Sequence, residues 1–150
     1  MRRIVEIVVV VASSFAQRHC ESKRLLSATD DLIKEKFEVN GPHWGQKSYV
    51  SYKIGNYLWL WINTQANMLR LNFAIKSKTF DEQDLAQRLG VAQFNSMQSL
   101  SEKMSLRNSV FVEESGESRD YIRLRIKDEF DMQSKPFLEF LNQAYNAFPR

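Results

Sequence analysis

The stretch KSYVSYKIGNYLWLWINTQANMLRLNFAIK, Lys47 to Lys76, constrains the fold more than any other part of the chain. In its last third, Leu69, Leu71, Phe73 and Ile75 alternate with Arg70, Asn72, Ala74 and Lys76. Successive side chains of a strand point to opposite faces, so this segment reads as a strand with one apolar face. Two similar segments precede it, Lys47 to Ile54 and Tyr57 to Ile62. Gly55-Asn56 suits a tight turn because both residues accept positive φ. The polar run NTQAN, 63–67, reads as a hairpin loop. Three strands joined this closely are expected to form an antiparallel meander.

Helical spacing flanks the meander. From about Glu21 to Phe37, Leu25, Leu26, Leu32, Ile33 and Phe37 recur at three-, four- and seven-residue intervals, and Asn40-Gly41-Pro42 stops the pattern. Phe80 to Leu89 reads as a short helix capped by Asp81 and ended by Gly90. Val110 to Glu113 and Tyr121 to Ile126 read as a second hairpin around SGES. Ser134 to Ala147 places Phe137, Phe140, Leu141 and Tyr145 on one helical stripe. RRIVEIVVVVA suits a buried strand, with a buried helix as the competing assignment, and residues 91–108 carry no decisive period. The expected fold is one α+β domain over residues 1–150, with a lead-in of residues 1–20 and a core from residue 21. Its antiparallel sheet has about five strands, as meander, helix and hairpin, packed by the N- and C-terminal helices. An apolar fraction of 43% and a charged fraction of 26% are enough for such a core.

Several chemistries are disfavoured. Cys20 is the single cysteine, so neither an internal disulfide nor a cysteine-rich zinc pattern is available. His19-Cys20 are neighbours whose side chains point apart, and His43 sits in GPHWG, a turn expected to pack Trp44. Acidic groups at Asp30/Asp31, Asp81/Glu82/Asp84, Glu113/Glu114 and Asp128/Glu129/Asp131 read as helix ends or solvated turns. Glu21-Ser22-Lys23 has a Glu-x-Lys spacing without an upstream aspartate. Neither a glycine-rich phosphate loop nor a Gly-x-Ser-x-Gly elbow occurs. Catalytic residues, a metal and a cofactor are therefore not expected. Arg2, Arg3 and IVEIVVVVASSFA imitate a secretion signal, but Glu6 interrupts the run, which also falls short of the ~20 apolar residues of a membrane span. A cytoplasmic protein without membrane attachment is the expectation.

Charge is unevenly distributed. Residues 1–80 carry 12 Lys/Arg against 6 Asp/Glu, and residues 81–150 carry 9 against 12. Between Glu38 and Asp81 there is no acidic residue, while Lys47, Lys53, Arg70, Lys76 and Lys78 fall there. If Leu58, Leu60 and Ile62 join the face of Leu69 and Ile122, the other face holds Tyr57, Trp59, Trp61, Arg70, Asn72, Lys76, Tyr121, Arg123 and Arg125. Two readings of that face stay open. In the first, a nucleic acid or other anionic ligand binds, with Tyr57, Trp59 and Trp61 stacking on bases and Arg70, Lys76, Arg123 and Arg125 pairing with phosphates. In the second, the rings are an interface core of a homodimer or protein-interaction module, or are covered by the chain itself. A slip of one residue in register would reverse the assignment.

The order of these segments resembles a known family. Tyr49, Tyr52 and Lys53 form a Tyr-x-x-Tyr-Lys strand, followed by two further strands, FDEQDLAQRLG, SVFVEES, DYIRLRI and a closing FLEFLNQAYNAF with Ala144-Tyr145. Over about Asp30 to Phe148 this is similar to an uncharacterised α+β domain. That domain often forms the carboxy-terminal part of bacterial and archaeal proteins with a nuclease-like region, some labelled predicted transport proteins. The chain departs from that pattern in the glycine-free FNSMQSLSEKMSLRNSV and the neutral NTQAN. The resemblance implies association with nucleic-acid-handling systems and transfers no catalytic residue.

Overall fold

Leu25, Leu26, Leu32 and Ile33 recur at helical spacing, and all four are buried on α1, Cys20–Lys36. The computed structural model describes residues 20–44, 49–65, 68–94, 108–116, 118–127 and 129–149, with backbone only at 20–22 and 65. The expectation for residues 1–20 lies almost wholly outside these residues, as does most of 91–108. Two further helices are described, α2, Glu82–Leu89, and α3, Lys135–Asn146. The Asp81 carboxylate accepts from Asp84 N at 3.0 Å, and Gly90 closes α2 in the left-handed region at φ 69°. Both ends of α2 therefore follow the capping residues in the sequence.

Seven strands form one sheet, more than the five or so expected. They are β1 (Asn40–Trp44), β2 (Tyr49–Ile54), β3 (Tyr57–Gln65), β4 (Met68–Lys76), β5 (Ala92–Gln93), β6 (Ser109–Glu114) and β7 (Arg119–Lys127). Their spatial order is β1-β2-β3-β4-β7-β6-β5, antiparallel throughout except for the parallel pair β5 and β6. The meander and the second hairpin thus meet along β4 and β7. The chain is α+β, as its segment pattern predicts.

The two additional strands are where local chemistry is least informative. Asn40-Gly41-Pro42 does end a helix, but the same residues begin β1, the outermost strand of the sheet, where proline's missing donor is tolerated. Gly41 permits this pairing: a Cβ there would stand 2.8 Å from Ser51 O and 3.2 Å from Tyr52 Cα. β5 is two residues long, too short to carry a period. NTQAN is mostly strand, since β3 runs through Gln65 and β4 starts at Met68.

The three described helices share one side of the sheet. That side buries Val50, Tyr52, Leu60, Ile62, Leu69, Leu71, Phe73, Ile75, Val110, Ile122, Leu124 and Ile126 with α1, α2 and α3. Two buried polar contacts tie it down. Tyr52 donates its phenol hydrogen to Asp30 Oδ1 at 2.6 Å, and Lys34 stands 3.5 Å from the other carboxylate oxygen. Glu82 Oε1 accepts from the backbone N–H of Val112 at 2.8 Å, joining α2 to β6.

Trp59 departs from the expected sidedness. Tyr52 pairs with Leu60 while Lys53 pairs with Leu58, so Trp59 is an extra residue in β3, a β-bulge. Alternation restarts there. Trp59 and Leu60 are both fully buried, whereas Leu58, expected in the core, is 38% exposed. The indole N–H donates to Ala144 O of α3 at 3.1 Å. Its ring meets Phe37, Phe73 and Tyr145 edge-on, with centroids 5.6, 5.7 and 5.3 Å away. Trp59 therefore belongs beneath a helix and is unavailable for stacking on a ligand.

Two stability predictions follow from these contacts. Trp59→Ala removes a fully buried ring and should cost about 3–5 kcal/mol in urea unfolding, against about 1 kcal/mol for the half-buried Trp61. Burial, then the Asp30 charge and hydrogen bond, push the Tyr52 phenol well above its ordinary 10.0. The folded chain then keeps a proton that the unfolded chain releases above about pH 10, so stability is full below that pH and falls as pH rises through it. Tyr52→Phe should lose about 1–3 kcal/mol at neutral pH, because Asp30 loses its donor, and should show a shallower alkaline decline.

Candidate anion-binding cleft

The face opposite the helices is ordered in cross-strand rows by the register. One row runs Ser109, Arg125, Arg70, Asn63, and the next runs Phe111, Arg123, Asn72, Trp61, Ser51. A third contains Glu113, Tyr121 and Ala74. Strand alternation makes these rows: Val110 and Val112 turn to the helices, so Phe111 and Glu113 turn away.

Polar contacts lock the first two rows together. Arg123 donates from Nε to Glu113 Oε1 at 2.7 Å and from Nη1 to Asn72 Oδ1 at 2.8 Å. Asn72 is fully buried, and its Nδ2 donates to Asn63 Oδ1 at 2.9 Å and to Trp61 O at 3.0 Å. Asn63 Oδ1 also accepts from Arg70 Nε and Nη2 at 3.4 and 3.3 Å. Rings support the cations: the Arg123 guanidinium carbon lies 5.9 Å from the Trp61 ring centre and 5.6 Å from that of Tyr121. Arg125 lies 5.4 Å from the Phe94 ring centre, and Phe94 meets Phe111 at 5.3 Å.

Arg70, Arg123 and Arg125 line one cleft of about 200 Å³ with Phe94, Phe111 and Ser109. Burial, then the neighbouring charges of Arg123 and Arg125, lower the pKa of Arg70 below its usual value. The guanidinium remains charged, because arginine is not deprotonated in proteins. Burial disfavours any charge there, whereas the two neighbouring guanidiniums contribute a positive potential that disfavours a further cation more than an anion.

No family model matches the chain, and neither a curated protein nor a solved structure matches it.

The structure brings together four of the seven residues singled out in the sequence, Trp61, Arg70, Arg123 and Arg125. It separates the other three. Trp59 faces the helices. Tyr57 is 66% exposed at the start of β3, four residues from Trp61 and thus roughly 13 Å along the strand. Lys76 pairs with Arg119, six residues and roughly 20 Å along β4 from Arg70. Phe94 and Phe111 join the site. Phe111 was legible from alternation in SVFVEE, whereas Phe94 carried no period that would place it.

Other groupings noted in the sequence make no metal-type cluster: among the described residues no three His, Cys, Asp or Glu side chains gather where a metal ion could be held. Asp30 is engaged by Tyr52 and Lys34, while burial and then the Asp30 charge push the Asp31 carboxyl up. His43 lies exposed on β1 instead of in a turn, beside the half-buried Trp44. No described helix is long and apolar enough to cross a membrane.

Arg70 is held among like charges, so Arg70→Met should raise the urea midpoint at low salt and reduce its dependence on salt. Equilibrium unfolding at low and high sodium chloride checks both effects. A lowered midpoint with unchanged salt dependence contradicts this account of the cleft.

Proposed function

We propose that this chain is a binding module that takes nucleic acid on the sheet face opposite its helices. Arg70, Arg123 and Arg125 pair with phosphates, and Trp61 and Tyr121 flank the bases. The observation that carries this reading is the convergence of three guanidiniums on one aromatic-walled cleft. Guanidiniums suit phosphate because each presents a planar fork of donors to its oxygens. Rings beside cations on a sheet provide the stacking surface that single strands use. The resemblance to domains found with nuclease-like regions points the same way.

A homodimer or protein-interaction module has less to draw on. The exposed large apolar residues among those described are Tyr49, Tyr57 and Leu58. Tyr49 begins β2, while Tyr57 and Leu58 lie beside its far end, roughly 17 Å away, so they do not make one patch.

Fluorescence anisotropy with a labelled single-stranded oligonucleotide tests the proposal. The three guanidiniums together should give a log–log salt slope of about −2, about −0.7 for each phosphate charge they neutralise. Arg70→Gln or Arg125→Gln should reduce that slope by about 1 each. Trp61→Ala should weaken binding by about 1–3 kcal/mol. Trp59→Phe, a core change that keeps an aromatic ring, should leave affinity unaltered. Binding that survives both arginine substitutions with the same slope overturns the reading.

A further inference from the structure

The three guanidiniums are committed to different extents. Arg123 is fixed on two edges by Glu113 and Asn72. Arg70 turns Nε and Nη2 toward one amide oxygen at long distance, and no carboxylate among the described residues stands within ion-pair distance of it. Its Nη1 makes no hydrogen bond to a described residue. Arg125 stands directly opposite Arg70 on the neighbouring strand, and Arg123 follows two residues along the same strand. The three backbone positions thus fall within roughly 5 Å across and 7 Å along the sheet. That area suits one phosphate better than a succession of them.

The number of forks distinguishes kinds of phosphate. An internal phosphodiester offers two unbridged oxygens and a single negative charge. A terminal phosphomonoester offers three strong acceptor oxygens and a charge of about −1.5 to −2 near neutrality. Three guanidiniums crowd one cleft, although Arg123 already commits Nε and Nη1 to Glu113 and Asn72, and the larger charge of a monoester gains more from such a site than that of a diester. Phe94 and Phe111 wall the same cleft, placing an aromatic surface beside the phosphate.

We propose that the cleft recognises a nucleotide's terminal phosphomonoester, the phosphorylated end of a nucleic-acid strand, with the adjoining base against Phe94 and Phe111. Arg123, anchored on Glu113 and Asn72, sets the position of the phosphate, and Arg70 supplies the uncommitted donors. The inference rests on the nucleic-acid reading given above and narrows it from the strand to its end.

Anisotropy titration of the whole chain with one labelled oligonucleotide tests it, prepared with a 5′-phosphate, with a 3′-phosphate and with neither. A phosphate on at least one end should tighten binding about tenfold, the worth of one charge-assisted hydrogen bond. Arg70→Gln should abolish that difference while the unphosphorylated strand still binds, and Arg125→Gln provides a second test of the same loss. A nucleoside monophosphate should compete with the phosphorylated strand, and the nucleoside should not. Competition at equal concentration with the phosphorylated strand identifies a free nucleotide as the source of the same phosphate chemistry; weaker competition identifies the strand end. Equal binding of phosphorylated and plain strands overturns end recognition and leaves nucleic-acid binding in place. Binding of none of them overturns both. A phosphoserine peptide that competes as well as the nucleoside monophosphate overturns the assignment to nucleic acid.

Discussion

One extra residue in β3 decides which side of the sheet each ring of that strand serves. At the bulge, Trp59 turns under α3 while Trp61 keeps to the opposite face. The partner of the Trp59 N–H, Ala144 O, lies in the last turn of α3, where helix carbonyls have no partner further along the helix. The bulge therefore satisfies a buried indole donor and a helix-end acceptor with one bond. It also gathers Phe37, Phe73 and Tyr145 around a single ring, so α1, α3 and the sheet share one packing centre.

The opposite face obeys a different physics. Its organising group is Asn72, buried and neutral, which accepts from Arg123 and donates to Asn63. A neutral amide at that position links cations without cancelling them. Of the two cations bonded to it directly or through Asn63, Arg123 has a carboxylate partner in Glu113, and Arg70 is bonded only through an amide among the described residues. Positive charge is thereby concentrated and also held in a fixed arrangement. A site prepared in this way need not reorganise to accept an anion.

What could be read in the sequence follows from how local each determinant is. The faces of β4 and β7 were legible because Leu69, Leu71, Phe73, Ile122, Leu124 and Ile126 alternate without interruption, and all six are fully buried. The caps of α2 were legible because Asp81 and Gly90 act within one turn. Trp59 was not, because YLWLWI alternates in both registers and a bulge depends on how Tyr52 and Lys53 meet the strand. β1 was hidden because Gly41 and Pro42 are read as a stop, although the close approach of Gly41 to β2 makes it a pairing site. Four of the seven residues singled out share one face, since Arg70, Arg123, Arg125 and Trp61 depend only on alternation. Phe94 depends on the path of a two-residue strand.

The bond from Val112 N to Glu82 bears on how the sheet ends. Among the described residues β5 covers β6 only at Ser109 and Val110, and no other described strand pairs with the outer side of β6. An uncovered strand is a template on which a foreign extended chain can polymerise. Here a side chain from α2 takes the Val112 amide that such an intruder would need. A single carboxylate on the helix thus occupies a donor that an added strand would otherwise take.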